Sequence, residues 1–141
     1  MQLNTKLHGI LEFNEKDVII FPKGMPGFQN LNKFVLIPVK ENPAFSILHS
    51  IEDENIGLIL ISPFEIEKNY EFELKDEVIK QLKIEGPEDV LVLNTATLNS
   101  DMKKITVNLR APIIINKKHG VGEQIILGNE AYKIKHPLFE E

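Results

Sequence analysis

Nine short runs of β-branched, aliphatic and aromatic residues, each cut off by Gly, Pro, Asn or Asp, leave this chain few folds to adopt. They are KDVIIF (16 to 21), FVLIPV (34 to 39), FSILHSI (45 to 51), IGLILIS (56 to 62), YEFEL (70 to 74), DVLVLNTATL (89 to 98), KITVNLRAPIII (104 to 115), EQIIL (123 to 127) and AYKIKH (131 to 136). Runs of this composition read as strands. Turns separate them, rather than helical patterns of about 10 to 15 residues, so the chain favours an antiparallel sandwich or barrel over a parallel α/β sheet. YEFEL alternates cleanly, with Tyr70, Phe72 and Leu74 on one face and Glu71 and Glu73 on the other, as a half-buried strand requires. Gly128 and Asn129 suit a tight loop, which predicts that the last two runs pair as a hairpin.

One short helix is expected. Asp76 can cap it, Glu77 suits the positive first turn, and Val78, Ile79 and Leu82 share a face before Gly86 and Pro87 stop it. Its expected place is over one end of the barrel. The reading is therefore mainly β: a single-domain antiparallel β-barrel-like fold over residues 1–141, with one short helix. At 43% hydrophobic and 26% charged residues, the chain has the balance of a folding domain rather than a disordered one.

Several functions have no support in the residues. Cysteine is absent, which removes disulfides, thiolate nucleophiles and cysteine-ligated zinc. His8, His49, His119 and His136 stand singly, without the spacing of a metal motif, so no metal or cofactor is expected. His49, in an apolar run, reads as a satisfied semi-buried side chain. No phosphate-binding glycine loop and no G-x-S-x-G element occurs, and no enzyme is expected. The N-terminus has no signal-peptide pattern, and no window approaches the ~18 apolar residues of a membrane span, so the expectation is a cytoplasmic protein.

Charge is uneven. The net charge is −5, yet residues 40–90 carry 13 acidic and 5 basic side chains, a balance of −8, while residues 91–141 carry 5 acidic and 7 basic, a balance of +2. An acidic middle suits a basic protein partner better than RNA or DNA, whose phosphates demand lysine and arginine. Glu52, Asp53 and Glu54 fit either a solvated strand connection or contact with a cationic partner. In FPKGMPGFQNL (21 to 31), Pro22 and Pro26 stiffen a loop whose Gly24 and Gly27 permit positive φ. Its apolar Phe21, Met25 and Phe28 are either anchored onto the core or held ready for a partner. In TVNLRAPIIIN (106 to 116), Val107, Leu109 and Ala111 read as core, with Thr106, Asn108 and Arg110 on the other face. Pro112 demands an edge or a bulge, after which Ile113 and Ile115 can change faces. Arg110 either braces the sheet by pairing with a carboxylate, the favoured reading, or faces a partner.

DVIIFPKGMPGF, KFVLIPV, ISPFEIEKNYEFEL, EDVLVLNTATL, TVNLRAPIIIN and YKIKHPL, in this order and along nearly the whole chain, resemble the flagellar assembly factor FliW family of bacteria. The most specific marks are F-P-x-G-x-P-G-F at 21–28 and N-L-R-A-P-x-x-I-N at 108–116. One departure is the dipeptide His49-Ser50, where the family pattern has glutamine before serine.

The resemblance implies a non-enzymatic cytoplasmic protein, monomeric when free, with two protein partners, CsrA and flagellin, and no direct contact with nucleic acid or membrane. Bound to CsrA, such a protein relieves repression of flagellin mRNA, and accumulating flagellin competes for it. The alternative is a secretion chaperone that holds flagellin without antagonising CsrA. On this basis Glu71 and Glu73, with Glu52, Asp53 and Glu54 nearby, are the expected CsrA face. Phe21, Met25 and Phe28 are the expected contacts for flagellin's C-terminal helical region. Asn108, Arg110 and Pro112 are read as a structural signature.

Overall fold

In a computed structural model that describes residues 1–6, 8–28 and 30–139, the chain begins with a two-stranded antiparallel ribbon. It consists of β1 (Gln2–Thr5) and β2 (Gly9–Glu12), with Leu3 opposite Leu11. No apolar run announced it. Gly9 takes φ +67 at its turn, where the Thr5 hydroxyl donates to the Gly9 carbonyl at 2.7 Å.

The remaining strands are β3 (Val18–Ile20), β4 (Lys33–Pro38), β5 (Phe45–Ser50) and β6 (Gly57–Ile61), then, after helix α1 (Asp76–Gln81), β7 (Leu91–Thr97), β8 (Thr106–Val107), β9 (Ile113–Asn116), β10 (Val121–Gln124) and β11 (His136–Pro137). Seven of them close into a barrel in the order β7-β6-β5-β4-β3-β10-β9 and back to β7. Closure happens on β7, which pairs with β6 through Asn94 to Ala96 and with β9 through Leu91 to Leu93. Seven is odd, and strands alternating up and down cannot close a ring of odd number without one parallel neighbour. That neighbour pair is β3 and β10, joined at Val121 opposite Ile20. Every other pairing of the ring is antiparallel, as expected.

The barrel interior holds Ile19, Phe21, Met25, Phe34, Leu36, Leu48, Leu60, Leu93, Ile113 and Ile115. Gly122 lies on β10 because any larger residue would meet the Phe21 ring, 2.9 Å from an added Cβ. Ile114 points the other way, against Val78 of α1 and Leu82 just after it, which explains three consecutive buried isoleucines. The helix thus packs on the outer wall, not over a barrel end. Lys75, not Asp76, is its N-cap residue, while Asp76 and Glu77 sit in the first turn. It stops before Gly86, at Lys83 with φ +55, where the Asn116 amide donates to the carbonyls of Leu82 at 2.9 Å and Lys83 at 3.2 Å.

Four of the expected runs change. YEFEL keeps its alternation, with Tyr70 buried and Glu71 and Glu73 exposed, but it pairs with no strand. EQIIL and AYKIKH do not form a hairpin. β10 instead pairs with β9, whose three isoleucines are all buried and offer more apolar surface than the sparsely apolar 131–136 run, and β11 pairs with β8. KITVNLRAPIII is interrupted: β8 and β9 both lie along β7, with Val107 opposite Ala96 and Ile113 opposite Leu93. Five residues, 108–112, therefore oppose two, 94 and 95, an excess of three. An odd excess reverses the side-chain parity, so Val107 packs outside the barrel and Ile113 inside.

Candidate functional site

That bulge organises one side of the molecule. Pro112, with no N–H to offer a ladder, sits inside it, as its presence in the run demanded. Asn108 folds its side chain back, so that Oδ1 accepts the N–H groups of Arg110 and Ala111 at 3.1 Å each. The Asn94 amide donates to the Asn108 carbonyl at 2.8 Å. The buried Tyr70 hydroxyl donates to the Leu109 carbonyl at 2.5 Å, and burial raises its pKa above the ordinary tyrosine value. Thr106, Asn108 and Arg110 are half-buried rather than forming a solvated stripe. Arg110 braces, but not through a carboxylate: its Nε donates to the Tyr132 carbonyl at 2.9 Å and an Nη to the Glu130 carbonyl at 3.1 Å. A guanidinium satisfies carbonyls as well as carboxylates, and the C-terminal segment brings carbonyls within reach.

Tyr132 reaches across to the stretch before the helix. Its hydroxyl accepts the Glu71 N–H at 3.0 Å and donates to the Glu71 carbonyl at 3.2 Å. Residues 70–74 thus form one wall of a groove of about 870 Å³, with Phe64, Ile84, Val90 and Val92 among its other lining residues. Every charged residue lining this groove is acidic: Glu71, Glu73 and Glu85. Sequence reading found the first two carboxylates and missed Glu85 and Ile84, which the return of the chain after α1 places beside them, and Phe64, which the turn Pro63–Glu65 after β6 supplies.

The other expected site residues go elsewhere. Glu52, Asp53 and Glu54 lie in the turn before β6, whereas Glu71 and Glu73 follow its far end, so the two acidic sets are not neighbours. Glu52 has a local task. Its Oε1 accepts the N–H groups of Asn32 at 2.7 Å and Lys33 at 2.9 Å, and these two bonds lower its pKa. Asp53 accepts from the Asn55 N–H at 2.9 Å, and the Glu54 carbonyl accepts from the Lys6 N–H at 3.1 Å. Phe21 and Met25 are 0% and 1% exposed, anchored in the barrel, so a partner could meet only Phe28, which is 37% exposed. His49 is buried with Nδ1 2.8 Å from the Ser50 carbonyl, the satisfied side chain its apolar run suggested.

A second groove, of about 920 Å³, lies between β2 and the β4–β5 wall. Ile10, Leu98, Met102 and Phe139 line it and are each about half exposed or more, while Glu12, Lys40 and Glu41 give it charges of both signs. Among the described residues no group of acidic or histidine side chains is arranged to hold a metal, and no helix is long and apolar enough to cross a membrane.

The fold is similar to that of a solved structure, "Crystal structure of the flagellar assembly factor FliW". It superposes with a TM-score of 0.91 at 40% identity, covering 100% of this chain and 99% of that one. The sequence profile of the family described as FliW protein matches residues 2–138. The chain belongs to the FliW family. A Clostridium botulinum (strain Okra / Type B1) protein named flagellar assembly factor FliW is 60% identical over 141 residues, all of this chain and 99% of its own length. A FliW of the same name from Clostridium kluyveri (strain ATCC 8527 / DSM 555 / NBRC 12016 / NCIMB 10680 / K1) is 57% identical over 140 residues, 99% of this chain and 97% of its own. The N-L-R-A-P and F-P-x-G-x-P-G-F marks of this FliW thus fall, respectively, on the bulge and on the loop that seats Phe21 and Met25 in the core.

Proposed function

We propose that this FliW serves flagellar assembly in the cytoplasm as a non-catalytic binding protein that docks on CsrA and relieves its repression of flagellin mRNA, with flagellin competing for it. The observation that carries this reading is the acidic-rimmed groove. CsrA holds RNA on basic surface, and a groove with Glu71, Glu73 and Glu85 around an apolar floor attracts such a surface while repelling phosphate. Glu52, Asp53 and Glu54, at the other end of β6, add to the long-range field but not to this contact. Unassembled flagellin presents apolar helical surface, and the reading gives it the exposed apolar side chains Leu98, Met102 and Phe139, with Phe28 the one exposed survivor of the 21–28 loop.

The test is to mix the protein with CsrA, with flagellin, and with both, following complexes by size exclusion. Competition supports partner switching. Capture of flagellin with no CsrA complex at low salt would favour the secretion-chaperone alternative instead. Exchanging Glu71 and Glu73 for lysine should abolish the CsrA complex, and unchanged CsrA affinity in that variant would exclude the groove as its site.

A further inference from the structure

We infer that Tyr132, held by Arg110, is the positioning residue for the acidic rim of the groove. The inference rests on the CsrA-binding reading above. Residues 70–74 run extended with no strand beside them, so no ladder fixes where Glu71 and Glu73 point. One side chain supplies what the ladder would. The Tyr132 hydroxyl takes the Glu71 N–H at 3.0 Å and gives its own proton to the Glu71 carbonyl at 3.2 Å, closing both backbone groups of that residue. Its ring packs against Tyr70 at a tilt of 48°, centroids 4.6 Å apart, and Tyr70 is itself tied to the bulge through Leu109.

Tyr132 is held in turn. Arg110 Nε and Nη grip the carbonyls of Tyr132 and Glu130 at 2.9 and 3.1 Å, and the Leu109 N–H donates to the Lys133 carbonyl at 3.0 Å. Two donors of one planar fork on two carbonyls of one turn set the orientation of that turn, which the single ammonium of lysine cannot do. Glu71, and Glu73 two residues on, project from the backbone so anchored. The backbone that carries both carboxylates is therefore preorganised by the Arg110–Tyr132 connection, and a cationic partner gains affinity because it does not have to order that segment.

The connection can be cut without touching a charge or a buried ring. Three variants, Tyr132→Phe, Arg110→Lys and the double change Glu71→Gln with Glu73→Gln, are compared with the parent protein by titrating CsrA at low and raised salt. Hydrogen exchange at the Glu71 amide is followed in parallel. Tyr132→Phe is expected to weaken CsrA binding about tenfold, to flatten its salt dependence and to speed exchange at Glu71, with barrel amides unchanged. Arg110→Lys should fall between it and the parent. If the double glutamine variant loses affinity while Tyr132→Phe keeps it, the positioning role is wrong and the acidic face stands. If neither variant loses affinity, the face and the positioning role fail together. Equal acceleration of exchange at Glu71 and in the barrel would reduce Tyr132 to a general structural residue and overturn the proposal.

Discussion

The wall from β3 to β6 and the side built from the 108–112 bulge and the C-terminal segment are held by different forces. In the wall, five consecutive residue pairs join β4 to β5 and five join β5 to β6, while Phe34, Leu36, Leu48 and Leu60 fill the interior. In the bulge side, ladder pairing is short, two residues between β8 and β11, and side chains do the joining: Asn94, Asn108, Arg110, Gln124 and Tyr132 each bond to backbone. Apolar burial is non-directional and cumulative, whereas each polar clasp is directional and modest in net free energy. The wall should therefore carry stability, and the bulge side should carry shape.

Substitutions can break that contrast. Phe21→Ala, in the interior with its ring 5.4 Å from that of Phe34, should lower unfolding free energy by about 3–5 kcal/mol in urea titration. Arg110→Ala removes two charge-assisted bonds from a half-buried site and should cost about 2–3 kcal/mol, with lysine restoring part. Tyr70→Phe leaves the Leu109 carbonyl without its hydroxyl partner and should cost about 1–2 kcal/mol. A Tyr70→Phe loss equal to that of Phe21→Ala would erase the distinction.

The smallest effect concerns pH. The Glu52 pKa is lowered by the Lys33 and Asn32 N–H groups, so its ionised form contributes stability that is present above the ordinary glutamate pKa and is lost as pH falls through the folded value. Glu52→Gln should remove that part of the acid profile. His8, lowered first by burial and then by the neighbouring His49, adds a contribution present above the ordinary histidine pKa and lost as pH falls below it. Glutamine at position 8 should flatten the profile near there, read from melting temperature against pH.

Strand runs were legible where aliphatic and aromatic residues concentrate along one ladder, as in the pairing of β4 with β5. They misled where pairing was non-local. AYKIKH has strand composition but no ladder over most of its length, because its backbone is taken by Arg110 and Leu109 instead. The β1–β2 ribbon was invisible because Leu3 and Leu11 are too sparse a pattern to register. For the site, the alternation in YEFEL correctly put Glu71 and Glu73 on the wet face. It could not show Glu85 beside them, nor the separation of Glu52, since both depend on how the chain returns. Phe21 and Met25 were readable as anchored or available, and both are buried in the barrel interior, Phe21 with its ring against Gly122.

The sequence by itself determined the β character, the single short helix, the family and the need for a break at Pro112, because periodicity, turn chemistry and the missing proline N–H act locally. Only the tertiary structure decided that seven strands close with one parallel seam, that three extra residues reverse the faces of Val107 and Ile113, and that Arg110 grips carbonyls through a distant turn. Those outcomes depend on which segments meet across the ring, and contact between remote residues is not encoded in the pattern of any one stretch.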